Sequence, residues 1–181
     1  MTLDELRARP VPWLEATALV MCDLRWEDGS DVAASPRQVL RGRFAERSFA
    51  PTTIAWAKDN RTCALRVVGH GPGLRFENRA GGSDLNPYMA LSALIAAGLH
   101  GVDQGLELEP AFVGNAYLAT DKPRLPTTLR DARDLFATSE VARGAFGDAV
   151  VEHYVNAADV ELAAFEAAVT DWERARGFER L

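Results

Sequence analysis

Residues 60–88 hold the pattern that most restricts what this chain can become. Asn60-Arg61-Thr62-Cys63-Ala64-Leu65-Arg66 leads through a Gly/Pro turn to Arg75-Phe76-Glu77-Asn78-Arg79, and then to Asp84-Leu85-Asn86-Pro87-Tyr88. In an extended segment side chains alternate faces, so Arg75, Glu77 and Arg79 share one face and Phe76 takes the other. One face then offers a carboxylate between two guanidiniums, and the other an aromatic anchor for a core. Guanidinium forks grip phosphate or carboxylate oxygens in pairs, and a carboxylate is a ligand for a hard cation. Such a row suits an anionic ligand that brings a metal. The same pentapeptide also reads as an exposed strand whose charges simply pair with neighbours. Arg61 and Arg66 accompany a β-rich run that ends at Val68. Five residues apart, they fall on opposite faces of a regular strand, and only a bend or a terminal position brings both to one site.

From Lys58 to Arg79 there are five cations against Asp59 and Glu77, a local +3 within a chain of net charge −6. A positive pocket in an acidic protein favours a small anion over nucleic acid, and the overall balance disfavours an anionic membrane as partner. The 181 residues, 48% apolar and 25% charged, fit one soluble domain. Cys22 and Cys63 sit in apolar runs and read as buried free thiols rather than a disulfide. There is no long apolar span, and Met1-Thr2-Leu3-Asp4-Glu5 lacks a signal pattern, so a cytoplasmic location is expected.

Along the chain, Ala18–Leu24 reads as a buried strand, and Ser35-Pro36 as the cap and first turn of a helix. Ile54-Ala55-Trp56 and Cys63–Val68 read as strands, with His70-Gly71-Pro72-Gly73 a turn in which His70 is solvated. Asn86-Pro87 opens a helix whose stripe is Leu91, Leu94, Ile95, Leu99 and Val102, so Asp84 and Asn86 read as punctuation rather than catalysts. Gly98 and Gly101 in that helix imply close packing under the strands. Residues 105–127 read as a loop. Helices follow at 128–138 and, capped by Ser139, at 139–146. A last helix runs from about Asp148 to Arg176 on a seam of Val151, Val155, Ala158, Leu162, Phe165, Val169 and Trp172, with an acidic outer face and His153 on its surface or packed.

The ordered run Ala50-Pro51-Thr52, Asn60-Arg61-Thr62, Arg66, Arg75-Phe76-Glu77-Asn78-Arg79 and Asp84-Leu85-Asn86-Pro87-Tyr88 resembles the C-terminal catalytic segment of glutamine synthetase. It is similar above all to the branch that includes γ-glutamylpolyamine synthetases. Cys22-Asp23-Leu24 through Ser35–Leu40 resembles the opening of the same catalytic domain. The resemblance implies a join near Arg41-Gly42-Arg43, with residues 1–42 a remnant of the domain's start and 43–181 its C-terminal part. It also implies that the N-terminal β-grasp domain and the central segment are absent.

The fold implied is α+β: a partial catalytic domain with a small, mostly antiparallel sheet backed by helices, including a long C-terminal one. The activity implied is ATP-dependent ligation of glutamate with ammonia or an amine through a γ-glutamyl phosphate, supported by Mg²⁺ or Mn²⁺. By position Glu77 matches a metal ligand, and Arg79 the holder of the glutamate α-carboxylate. Arg61 matches a substrate and phosphoryl contact, and Arg66 and Arg75 match contacts to the ATP phosphates, with Arg61 and Arg66 in the catalytic role. Phe49 stands where ammonia-using members carry a flap glutamate, a departure that fits organic amines. Asn115-Ala116-Tyr117 matches a family loop to which no chemistry is assigned. The other metal ligands belong to the absent centre, and one carboxylate cannot hold two or three Mg²⁺ ions. Little ligase activity is therefore expected of this chain by itself. The alternative is an inactive remnant that binds anions, forms a homo-oligomer or associates with full-length relatives through unpaired strand edges.

Overall fold

The computed structural model describes residues 50–81 and 85–178. The expected strand at 18–24, the helix at 35–40, Cys22, Phe49, Asp84 and the inferred join lie outside them. Three strands, β1 (Trp56–Lys58), β2 (Leu65–Val68) and β3 (Arg75–Asn78), form one sheet in that order. β2 and β3 pair antiparallel, with Arg66 opposite Glu77 and Val68 opposite Arg75. β1 runs parallel to β2, with Ala57 opposite Arg66. The arginine-rich row therefore sits on the antiparallel pair, with Arg66 on the central strand.

The β1–β2 link is a tight turn rather than an early start of β2. Asp59 takes φ +49°, and the Asn60 side-chain oxygen accepts hydrogen bonds from the Thr62 amide (3.0 Å) and hydroxyl (2.7 Å). This Asx-type turn satisfies the local backbone without a ladder, so pairing begins at Leu65 instead of Cys63. β2 and β3 are joined by a 3₁₀ turn at Gly71–Gly73, in which the Gly73 amide donates to the His70 carbonyl (3.0 Å). His70 is exposed there, as a turn residue should be.

The 105–127 loop covers the outer edge of β1. The Phe112 amide donates to the Trp56 carbonyl (2.8 Å) and the Ile54 amide to the Pro123 carbonyl (2.8 Å). Such cover removes an edge that would otherwise invite pairing. Beneath it Ala55, Ala57, Cys63 and Ala116 are buried against Phe112. Cys63 is a free thiol, as expected, and burial pushes its pKa up.

Helix α1 (Pro87–Asp103) is capped by Asn86, whose side-chain oxygen accepts from the Tyr88 (3.0 Å) and Met89 (3.3 Å) amides. Its buried face is not the expected stripe. Ala93 and Ala97 are buried, whereas Leu91 is 60% exposed and Val102 77%, with Ile95 and Leu99 also exposed. α1 packs on α3 (Glu140–Phe146), with Phe146 against Ala93, and small side chains are what let two helices approach closely. An alanine face thus prevails over a bulkier stripe of which only Leu94 is half-buried. Nor are Gly98 and Gly101 sites of close approach: a Cβ at either would meet nothing within 4 Å.

The main core lies between α2 (Leu129–Thr138), α3 and α4 (Asp148–Ala167). Leu129, Phe136, Ala142, Val151 and Ala158 are buried together, with Phe146, Tyr154, Val155 and Leu162 against them. Thr128 and Ser139 cap α2 and α3 by accepting from Asp131 N (3.1 Å) and Ala142 N (3.0 Å). Arg133 of α2 grips Asp159 of α4 with both prongs (2.9 and 2.8 Å), which holds that carboxyl below its ordinary pKa.

The expected final helix breaks in two: α4 ends at Ala167 and α5 spans Asp171–Phe178. Thr170 and Glu173 form a capping box. The Glu173 carboxylate accepts from the Thr170 amide (2.8 Å), and the Thr170 hydroxyl accepts from the Glu173 amide (3.3 Å). The local start signal outweighs the apolar seam because Val169 and Trp172 find nothing to pack on among the described residues and stay exposed. The bonds to Thr170 lower the Glu173 pKa, so its contribution is fully present above the ordinary glutamate range and is lost as pH falls through the depressed value. Acidification should therefore melt α5 ahead of the α2–α4 core. A pH titration of helical circular dichroism should show that early loss in the parent and not in Glu173→Gln.

Candidate functional site

The register places Arg66 and Glu77 side by side on one face, as cross-strand partners are. Arg66 Nη1 lies 3.1 Å from Glu77 Oε2, Arg79 Nη1 3.7 Å from the same oxygen, and Arg75 Nη2 3.8 Å from Oε1. Arg75, Glu77 and Arg79 share a face as alternation requires, although Arg79 follows the last β3 residue. Its amide still donates to the Ala64 carbonyl (2.9 Å) and so keeps its orientation. Arg66 is the hub: its other prong bonds Asp59 on the β1–β2 turn. That pairing holds the Asp59 carboxyl below its ordinary pKa and pushes the guanidinium up.

Three guanidiniums thus converge on one carboxylate. Arg66 is held at 14% side-chain exposure, while Arg75 is open at 64%. The Arg66 Nε is buried and has no hydrogen-bond partner among the described residues. An unpaired buried donor in a cationic cluster is a position where an anion oxygen gains a bond the protein does not supply. Arg61 stands apart. It is exposed on the turn, makes no ion pair among the described residues, and acts on the group only by lowering the Asp59 pKa from a distance. The bend foreseen as the condition for Arg61 and Arg66 to share a site exists, yet it leaves Arg61 outside the cluster.

As a metal site the described residues are insufficient. No group of three or more His, Cys, Asp or Glu side chains among them could hold an ion. Glu77 can furnish one oxygen and is already engaged by three cations. The local chemistry is that of an anion cradle.

One participant, Asp59, and one neighbouring turn carried weaker sequence signals. Asp59 was visible only as a charge, because its contact depends on the turn. Tyr117 lies in a 3₁₀ turn (Ala116–Leu118) capped by Asn115, which is stapled to the Arg61 turn: Asn60 Nδ2 donates to the Gly114 carbonyl (2.8 Å), and the Ala116 amide to Thr62 Oγ1 (2.9 Å). Only the Asn115-Ala116-Tyr117 spelling hinted at it.

The family model described as the glutamine synthetase catalytic domain matches residues 34–177, most of the chain. The chain belongs to the glutamine synthetase catalytic-domain family. It is 62% identical over 139 residues to the gamma-glutamylethanolamide synthetase of Streptomyces coelicolor, covering 77% of this chain and 30% of that protein. It is 35% identical to the glutamate–isopropylamine ligase of a Pseudomonas species (74% and 30% covered) and 35% identical to the glutamine synthetase of Thermus thermophilus (68% and 30% covered). Among solved structures, ligand-free GmaS matches with a TM-score of 0.67 at 23% identity, over 91% of this chain and 37% of that one, a likeness of fold. The chain spans about a third of these proteins' lengths. Use of ATP and a divalent metal is general to the glutamine synthetase family. No helix among the described residues is long and apolar enough to cross a membrane.

Proposed function

We propose that this chain carries the arginine-rich half of an ATP-dependent glutamate–amine ligase site. The observation that supports it most is the convergence of Arg66, Arg75 and Arg79 on Glu77, with the Arg66 Nε left over for a ligand oxygen. Phosphoryl transfer is largely positioning plus charge neutralisation, and preoriented guanidiniums supply both. In this reading Arg66 and Arg75 hold phosphate oxygens of ATP, and Arg79 holds the α-carboxylate of glutamate. Arg61, exposed on the turn outside the cluster, meets the reacting group from there. Glu77 keeps the three cations in register and offers one oxygen to Mg²⁺ or Mn²⁺, whose other ligands come from outside the described residues. When bound, the metal shields the phosphate charge. The similarity to a gamma-glutamylethanolamide synthetase and a glutamate–isopropylamine ligase favours an organic amine as co-substrate.

The cation cluster without a complete metal-ligand set among the described residues supports a second reading, an anion-binding remnant without turnover. One experiment separates the two. ATP affinity is measured by calorimetry on the full chain and on Arg75→Ala, a variant that removes an exposed side chain and so leaves folding intact; ADP release is then followed with glutamate, Mg²⁺ and amines. Loss of one charge-assisted contact should weaken ATP binding about tenfold or more. ATP binding with no ADP release identifies the remnant, and equal affinity for parent and variant overturns both readings.

A further inference from the structure

The Arg66 guanidinium is held from two sides. Glu77 of β3 takes Nη1 (3.1 Å), and Asp59 of the β1–β2 turn takes Nη2. Ala57, the residue opposite Arg66 on β1, has no side-chain oxygen to offer, so the second acceptor comes from two residues further along. With both outer nitrogens bound to carboxylates on different elements, the guanidinium plane cannot turn about its own stem. The buried Nε, which has no partner among the described residues, is thereby aimed in one direction. Asp59 reaches Arg66 from a strained backbone. At φ +49° it is the single non-glycine residue in the left-handed region among the described residues. Glycine takes that conformation without strain, and aspartate only at some cost. The turn is pinned around it: the Asp59 amide donates to the Val67 carbonyl (2.9 Å), and Asn60 bonds Thr62 and the Gly114 carbonyl (2.8 Å). The Asp59 carboxylate thus meets Arg66 although its side chain is 77% exposed. An ion pair so open to water adds little to stability, so folding does not account for the strain. Orienting Arg66 does.

We propose that Asp59 is a positioning residue for the anion site: its carboxylate accepts from Arg66 Nη2 and, with Glu77 on Nη1, turns the Arg66 Nε–H toward a phosphate oxygen of ATP. This rests on the reading of Arg66 as a phosphate contact. Charge and positioning make opposite predictions for this residue. As a negative charge beside the cluster Asp59 repels ATP, so its removal should tighten binding. As the acceptor that presents Arg66 it assists ATP, so its removal should weaken binding.

The test uses the full chain with Asp59→Asn, Asp59→Gly and Arg75→Ala. Dissociation constants for ATP with Mg²⁺ are read by calorimetry at fixed ionic strength, and a melting temperature is recorded for each protein. Asn and Gly remove the same charge and both tolerate the left-handed backbone, but only Asn keeps an oxygen for Arg66 Nη2. Asp59→Gly should weaken ATP binding about tenfold, whereas Asp59→Asn should stay within about threefold of the parent. The melting temperature of Asp59→Gly should lie within about 3 °C of the parent, since relief of strain offsets the lost surface pair. Equal shifts of affinity in the two Asp59 variants, in either direction, would mean that only the charge matters and would overturn the proposal. A lower melting temperature with parent-like affinity would make Asp59 merely structural and overturn it as well. Parent-like affinity in both Asp59 variants beside weaker binding in Arg75→Ala overturns the positioning role and leaves the phosphate reading standing. Failure of the parent chain to bind ATP removes both together.

Discussion

Gly69→Ala should lower the unfolding free energy by about 2–4 kcal/mol and weaken ATP binding at temperatures where the variant is still folded. Gly69 has φ +88°, a conformation that L side chains rarely adopt. A Cβ there would lie 2.1 Å from the Gly73 carbonyl oxygen and 2.8 Å from its carbon. Both are backbone atoms, so no side chain can swing aside, and the turn itself has to move. Since this turn sets the pairing of Val68 with Arg75 and of Arg66 with Glu77, its displacement separates the guanidiniums from their shared carboxylate. Urea denaturation gives the stability change, and calorimetry with ATP gives the binding change. A variant with parent-like values in both would show that the hairpin does not govern the site.

Phe136→Ala should cost more in stability and less in binding. Phe136 is the largest fully buried side chain among the described residues and lies amid Leu129, Ala142, Val151 and Ala158, with its ring 6.5 Å from that of Phe146. Truncating a phenylalanine in such a place removes transfer free energy and leaves a cavity, together about 3–5 kcal/mol. That is a large share of the 5–15 kcal/mol typical of a domain, roughly a fifth or more. The Phe136 ring ties together α2, α3 and α4, none of which carries Arg66, Arg75, Glu77 or Arg79. ATP affinity of the folded fraction should therefore match the parent. Comparing the two variants asks whether the sheet and the helical core fail separately: local damage in Gly69→Ala, global damage in Phe136→Ala. Equal loss of binding in both would mean that the cation cluster depends on the whole fold rather than on its hairpin.

Much of this could be read from residues because it is set by near neighbours. Asn86-Pro87, Thr128 and Ser139 start helices through bonds to amides two or three residues on, and the structure shows each of them in place. Arg75, Glu77 and Arg79 share a face because strand geometry has a period of two. The Thr170–Glu173 box was equally local and equally legible, yet the apolar seam through Val169 and Trp172 masked it. A hydrophobic period states what a helix could bury, not whether a neighbour is present to bury it. For the same reason Leu91, Ile95, Leu99 and Val102 are regularly spaced on α1 and nevertheless exposed.

Sequence alone therefore determined the charge row, the glycine-dependent hairpin and the helix starts, since each follows from backbone geometry over a few residues. Only the tertiary structure decided that Arg66 is the hub, because that depends on β2 lying between β1 and β3 and on the turn that brings Asp59 to it. It likewise decided that Arg61 stays outside the cluster and that Gly114 and Ala116, far along the chain, come back to bond Asn60 and Thr62. Pairings between segments distant in sequence are chosen by packing and hydrogen bonding across the whole fold. No local pattern of residue types encodes them.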